Sequence, residues 1–477
     1  MISFNVVRIK SESNFTSDRM RFSAVVLCLL FVAGHLLADK SYCFRLYLKD
    51  KGENSFKLAF PEEFLSEEAV ERRMMWEIFV DETDFPVSQT YIDELIALGV
   101  TPVVQSKWLK TVVVESADSA VVEALKLIPF VDSLTCVWNN ENRLDPFPYE
   151  DDTTYYTSSD EPLENPYGYA ENQIEMLNGV NLHQAGYRGK GVRIAVIDAG
   201  FMNVNRIEAF ASMHLIGTKN ITFPDEDVFN DDTHGTKVLS CLAANLPGFM
   251  IGTAPEASYL LIKSEDSRRE TPIEEDYWVA AIEYADSVGV DVISSSLGYN
   301  RYDSIDDYYT RDNLDGRTAF ISRAADIAVK KGLLVVSSAG NEGVNDWEKI
   351  TFPSDVEGVL TVGSVNAEKE RSFFSSTGLT ADYRIKPDVV ALGSRVCVIG
   401  SGGQTQETDG TSFSTPIIAG MAACLWQAFP LLKNEDIIQL IKDASTQSRQ
   451  PDTQVGYGIP DMFKAYKQAD DNAIRNN

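Results

Sequence analysis

The stretch Val192-Arg193-Ile194-Ala195-Val196-Ile197-Asp198-Ala199-Gly200 is an apolar run of strand length that ends on a carboxylate and a glycine. Its apolar residues do not alternate with polar ones, which suits a strand buried on both faces, as in a parallel sheet. The same rhythm continues downstream. Helices are predicted over 235–244, 273–288, 319–331 and 411–428, and strands over 257–262, 290–294, 333–337 and 359–362. Strands alternating with amphipathic helices give an α/β class with a mostly parallel sheet covered on both faces, hence three layers. In such folds chemistry collects at the carboxyl ends of the strands.

Upstream the pattern changes. Strand-like alternation over 41–48, helical spacing over 66–76 and 88–98, β-branched runs at 101–105 and 110–115, a helix over 118–127 and a last strand over 131–138 read as β-α-β-β-α-β. Ser88 is placed to cap the second helix and Gly99 to end it. Residues 39–138 therefore form a small α+β domain of ferredoxin-like type ahead of the larger one at 165–477. Between them, 139–164 is acidic, carries Pro146, Pro148 and Pro162, and lacks apolar periodicity. It reads as an exposed linker, the kind of segment in which proteolysis is tolerated.

Arg19 and Arg21 precede an apolar run from Phe22 to Leu37 that closes on Ala38. That run falls short of the roughly 20 residues a membrane span needs, so 20–38 reads as an export signal and the mature chain as exported without a span. Acidic residues number 71 against 42 basic ones among 477, a net charge of −29. Such a field repels phosphate backbones, and nucleic-acid binding is not expected. With 44% hydrophobic residues the chain has the means to bury a large core. Beyond Cys28 there remain Cys43, Cys136, Cys241, Cys397 and Cys424, an odd number that implies no disulfide framework. No His/Cys cluster has zinc-like spacing. No cofactor is called for, and a structural calcium stays open, since carboxylate and carbonyl sites leave weak traces in sequence.

Three segments bear chemistry at predicted element ends. They are Asp198-Ala199-Gly200, Asp232-Thr233-His234-Gly235-Thr236, and Asp409-Gly410-Thr411-Ser412-Phe413-Ser414-Thr415-Pro416. Taken singly, each polar residue reads as a cap or a turn former. Together Asp198, His234 and Ser412 supply what a serine nucleophile needs: an imidazole base and a carboxylate to orient it. Ser338-Ala339-Gly340-Asn341-Glu342-Gly343 follows a strand and places an amide in a tight loop, suited to donate to an oxyanion.

Through these segments, and through Ser296-Leu297-Gly298, the chain resembles the subtilisin-like serine proteases, with the order Asp, His, Asn, Ser that they share. The resemblance implies a subtilisin-like fold and a secreted serine endopeptidase acting on protein or peptide substrates. It assigns Asp198, His234 and Ser412 to a triad, Asn341 to the oxyanion hole, and Ser296, Leu297, Gly298, Ala339 and Gly340 to substrate binding. Ser296 to Gly298 would be an edge strand that pairs with an extended peptide. The N-terminal domain resembles the inhibitory pro-segments of secreted Bacteroidetes members, so it would hold the cleft until cut away. A bridge between Cys43 and Cys136, on its first and last strands, and two buried thiols are both open. The departures are Ala199 in place of a hydroxyl residue, Lys237 in place of a second histidine, and Phe413-Ser414 in place of Met-Ala. Glu342 resembles an acidic residue at the floor of the P1 pocket. The alternative is a catalytically silent peptide-binding protein on the same scaffold.

Overall fold

A computed structural model describes residues 41–140, 161–303 and 308–476. The expected export signal at 20–38 lies outside these residues, as do 141–160 of the acidic stretch.

The N-terminal domain runs β1 (Tyr42–Leu48), α1 (Glu67–Met75), α2 (Gln89–Ala97), β2 (Thr101–Ser106), β3 (Thr111–Ser116), α3 (Val121–Leu125) and β4 (Val131–Asn139). Its four strands form an antiparallel sheet in the order β2-β3-β1-β4. Alternation along β1 divides the faces: Phe44, Leu46 and Leu48 meet Leu95 of α2 and Leu125 of α3. Cys43 faces the other way with Val113 and Val137. Ser66 and Ser88 cap α1 and α2, each hydroxyl accepting from a backbone N–H in the first turn.

The larger domain opens with α4 (Glu171–Glu175) and α5 (Gly179–Gln184), followed by β5 (Arg193–Asp198), β6 (His214–Asn220) and α6 (His234–Ala243). A short hairpin, β7 (Asn245–Leu246) and β8 (Met250–Ile251), precedes β9 (Ser258–Lys263), α7 (Ile273–Val288), β10 (Val292–Ser295), α8 (Phe320–Lys330) and β11 (Leu334–Ser338). Next come β12 (Leu360–Val365), β13 (Val389–Leu392), the hairpin β14 (Val396–Ile399) and β15 (Thr405–Thr408), α9 (Thr411–Ala428), α10 (Asn434–Ala444) and α11 (Met462–Asn476). Seven strands form one sheet in the order β13-β12-β11-β10-β5-β9-β6, with every pairing parallel. Along β5, Ile194 and Val196 enter the core shared with α6 and α9, while Ala195 and Ile197 enter the core shared with α7 and α8. This is the three-layer α/β architecture expected from the run at 192–200.

The two domains pack along α7, where Ile273 and Tyr277 cover Cys43, Val113 and Val137. Cys43 is buried there, whereas Cys136 is exposed and pairs with Phe44 across a bulge; both are free thiols. Of the two arrangements left open for these cysteines, the structure therefore has no bridge, and only Cys43 is buried. Among the described residues no helix is long and apolar enough to cross a membrane.

Candidate active site

Asp198 ends β5, next to the centre of the sheet, with its side chain fully buried. Its Oδ1 accepts from its neighbour's backbone N–H (Ala199, 2.8 Å) and lies 2.7 Å from His234 Nδ1. Because a carboxylate only accepts, that contact assigns the proton to Nδ1 and leaves Nε2 as the basic nitrogen. His234 opens α6, its backbone N–H donating to Asp232 Oδ1 at 2.7 Å. What lets the helix start approach the strand end is Gly235, since a Cβ there would lie 2.3 Å from Gly200 O and 3.0 Å from Asp198 Cβ. Burial alone would lower the His234 pKa, but the Asp198 charge and hydrogen bond outweigh it and raise the imidazole above its ordinary value. Among the described residues nothing bonds the buried Asp198 Oδ2, at the residue whose neighbour Ala199 lacks a hydroxyl.

Ser412 sits in the first turn of α9, behind Gly410 at the N-cap. The Phe413 ring lies 5.7 Å from the His234 ring, which brings the helix start against the imidazole. The Ser412 hydroxyl donates to Ser296 O at 3.3 Å, and among the described residues no hydrogen bond joins it to His234. Ser296 Oγ in turn donates to Ser412 O at 2.7 Å. Pro416 gives the reason: four residues on, it has no N–H to offer that carbonyl. A proline inside the box thus creates an acceptor that a serine from another segment fills.

Asn341 follows β11, and its Oδ1 accepts from Thr411 N and Thr411 Oγ1, both at 3.0 Å. Since the backbone N–H must face an oxygen, the amide's Nδ2 is turned away from Thr411. Ala339 N donates to Val362 O at 2.9 Å and Gly340 O accepts from Ser376 N at 3.0 Å, which ties the loop to its neighbours. Ser296, Leu297 and Gly298 continue past β10, the central strand of the sheet, and lie outside any ladder. They are not an edge strand of that sheet. A Cβ at Gly298 would come within 2.1 Å of Thr351 Oγ1. Asp198, His234, Ser412, Asn341 and 296–298 thus come to one rim, at the carboxyl ends of β5, β10 and β11.

Glu342 Oε2 accepts from Asn300 Nδ2 at 3.2 Å and Asn345 Nδ2 at 2.6 Å. A feature not anticipated from sequence is Glu265, just beyond β9, whose carboxylate accepts from Tyr299 Oη. Burial pushes it up to about 7, the Tyr299 bond acts against that, and the Asp198 charge adds to it. Glu265, Glu270 and Glu274 hold carboxylate oxygens within 4.8 Å of one another. In so acidic a chain nothing distinguished these glutamates beforehand.

A match to the subtilase family covers residues 189–458, more than half of the chain. A second match, to the peptidase S8 propeptide domain of Bacteroidota, covers 43–150. Subtilisin E of Bacillus subtilis is 30% identical over 285 residues, spanning 59% of this chain and 66% of that relative. Subtilisin of Bacillus pumilus is 29% identical over 285 residues, or 59% and 91% of the two chains. The major intracellular serine protease of Bacillus subtilis is 31% identical over 259 residues, or 53% and 73%. With the α/β sheet, its rim of Asp, His, Asn and Ser, and a propeptide domain in front, the chain belongs to the subtilase family of serine-type peptidases and is built as a zymogen.

Proposed function

We propose that the chain is an exported serine endopeptidase whose triad is Asp198, His234 and Ser412. The observation that carries this reading is the 2.7 Å contact between His234 Nδ1 and buried Asp198 Oδ1, beside the helix start that bears Ser412. In the acylation step the Ser412 hydroxyl leaves Ser296 O by rotation about a single bond and gives its proton to His234 Nε2. Its oxygen bonds to the scissile carbonyl carbon. The imidazolium, stabilised by Asp198, passes that proton to the leaving amine as the C–N bond breaks. Water then attacks the acyl carbon, His234 takes its proton and returns it to Ser412 Oγ as the ester C–O bond breaks, and the acid leaves. Asn341 Nδ2 and the Ser412 N–H, at the start of α9, would donate to the oxyanion. An extended peptide would lie along 296–298 and 339–340, bound through main-chain hydrogen bonds.

The same reading makes 39–138 the intramolecular inhibitor. Trp138, near the end of β4, lies 5.0 Å below the Arg269 guanidinium, in the loop after β9. The chain therefore leaves the small domain beside the loop that carries Glu265. Fluorophosphonate treatment of the processed protein tests the proposal. Stoichiometric adduct on Ser412, absent in Ser412→Ala, is expected; folded protein that takes up none would instead be the silent binding module.

A further inference from the structure

β9 closes on Lys263, at the end of the apolar run Tyr259-Leu260-Leu261-Ile262. In the parallel register Lys263 stands opposite Asp198. Alternation puts the two side chains on one face of the sheet. Val196 and Leu261, two residues earlier on each strand, enter the core shared with α6, whereas Ile197 and Ile262 enter the opposite one. The acid and the lysine therefore start from adjacent strands about 5 Å apart. A lysine ordinarily carries its ammonium out to water, but the side chain of Lys263 is completely buried.

The ammonium reaches past Asp198 to what flanks it. Lys263 Nζ donates to Ala199 O, the carbonyl directly after the carboxylate-bearing residue. It also lies 3.1 Å from Asp231 Oδ2, three residues ahead of His234. Those two stretches touch, since a Cβ on Gly200 would lie 2.0 Å from Asp231 O. Met202 N closes the same seam by donating to Asp232 O at 3.0 Å. Ser264 N, next along the chain from Lys263, donates to Asp198 O at 3.1 Å. One cation thus ties the segment that carries the acid to the segment that carries the imidazole. The acid has need of it, because among the described residues nothing bonds its buried Oδ2. Burial disfavours a charged carboxylate with an unsatisfied oxygen, and a positive charge on the next strand favours it.

We propose that Lys263 is a positioning residue of the reaction, a brace that holds Asp198 against His234 through Ala199 O on one side and Asp231 on the other. Its charge stands in for the donor that Asp198 Oδ2 lacks. The brace touches neither substrate nor the reacting atoms. It acts by keeping the carboxylate and the imidazole in one geometry, so its loss slows bond formation and leaves binding alone. This rests on the reading of Asp198, His234 and Ser412 as a triad.

The test uses the full chain with a site for a foreign protease placed within 145–160, so that the cut does not depend on this chain's own chemistry. Fluorophosphonate inactivation of the cut protein is resolved into a binding constant and a rate of bond formation to Ser412 Oγ. In Lys263→Met that rate should fall about a hundredfold while the binding constant stays within about twofold. Asp231 is half-exposed, so this change strands no buried partner there. Asp231→Ala, a change on that exposed side chain, should cost about tenfold in the same rate. A second measurement is independent of turnover. In the cut Ser412→Ala chain, the proton that His234 Nδ1 gives to Asp198 should produce a far-downfield NMR signal, and adding Lys263→Met should broaden it away. A Lys263→Met chain that reacts as fast as the unaltered one, that loses binding and rate alike, or that keeps the His234 signal unchanged would overturn the brace. Unaltered protein that takes up no fluorophosphonate counts instead against the triad, and the NMR measurement still judges the brace.

Discussion

At the residue, the base is where sign and size are most sharply constrained. In the proposed triad His234 must be neutral to accept the Ser412 proton, so activity should rise as pH climbs through its pKa. Burial lowers that pKa and the Asp198 charge more than restores it, so the acid limb of kcat/KM should lie above the ordinary histidine value of about 6.5. Asp198→Asn removes the charge that offsets burial, leaving only the smaller Asp232 charge against it, and loosens the tautomer. The limb should move down in pH while turnover falls about ten-thousandfold. A pH profile of each protein checks this, and an unmoved limb would refute the assignment. Asn341→Ala should cost a further kind of interaction, one made only as charge develops on the carbonyl oxygen. Turnover should drop about a hundred- to a thousandfold, the range known for such a donor in subtilisin, with ground-state inhibitor binding nearly unchanged. That these four side chains would come to one rim was legible, because the chemistry read into them constrains residue type at strand and helix ends. The Ser296 and Ser412 exchange and the Glu265 to Tyr299 bond were not, since each joins residues dozens of positions apart that are ordinary in isolation.

Elements carry a second pH dependence, of opposite use. His183 of α5 is buried, with Nε2 2.9 Å from Thr253 O and Nδ1 3.0 Å from Tyr167 Oη. The carbonyl requires the proton on Nε2, so Nδ1 accepts from the tyrosine and the neutral ring is fully bonded. Burial depresses its pKa to about 4. A depressed histidine contributes stability above its unfolded value near 6.5, and that stability is lost as pH falls towards 4. The full difference is about 3 kcal/mol. Thermal unfolding of the Ser412→Ala chain between pH 7.5 and 4.5 should show it, and His183→Gln should flatten the curve; equal slopes would exclude His183 as the cause. The small domain's elements and the central ones of the larger domain, β5, α6, β9, α7, β10, α8, β11, β12 and α9, were readable beforehand, because buried parallel strands and amphipathic helices have strong local signals. The boundaries 273–288 and 411–428 coincide with α7 and α9. β6, at the sheet edge and only partly buried, carries a weak apolar pattern and was not foreseen, and neither were β13 and β14, although each is a fully buried apolar run of four residues, too short to stand out from the surrounding loops. That α1 would serve the catalytic domain was equally hidden: its buried residues are two arginines and an alanine, and the arginines' shared partner, Asp286, lies more than 200 residues away.

For the whole molecule, the decisive surface is the one between domains, and it holds buried ion pairs. At the active-site end of α7, Arg45 of β1 meets Asp276 with two bonds, 2.8 and 2.6 Å, adds one to Pro272 O at 3.0 Å, and stacks 3.7 Å above the Phe320 ring. Both charged side chains are almost fully buried. A pair of this kind contributes little over an apolar pair of the same shape, because desolvation offsets attraction, yet losing one partner costs about 3–5 kcal/mol. A double substitution therefore separates charge pairing from packing. In the cut Ser412→Ala chain, Arg45→Met should leave Asp276 buried and unpaired and speed domain separation by about two to four powers of ten. Asp276→Leu should act alike by stranding Arg45. The combined Arg45→Met, Asp276→Leu chain should return most of the way to the unchanged rate, since it strands neither charge. If the double variant separates as fast as the single ones, Arg45 acts through its contacts with Pro272 and Phe320 instead, and this end of the interface depends on shape rather than charge.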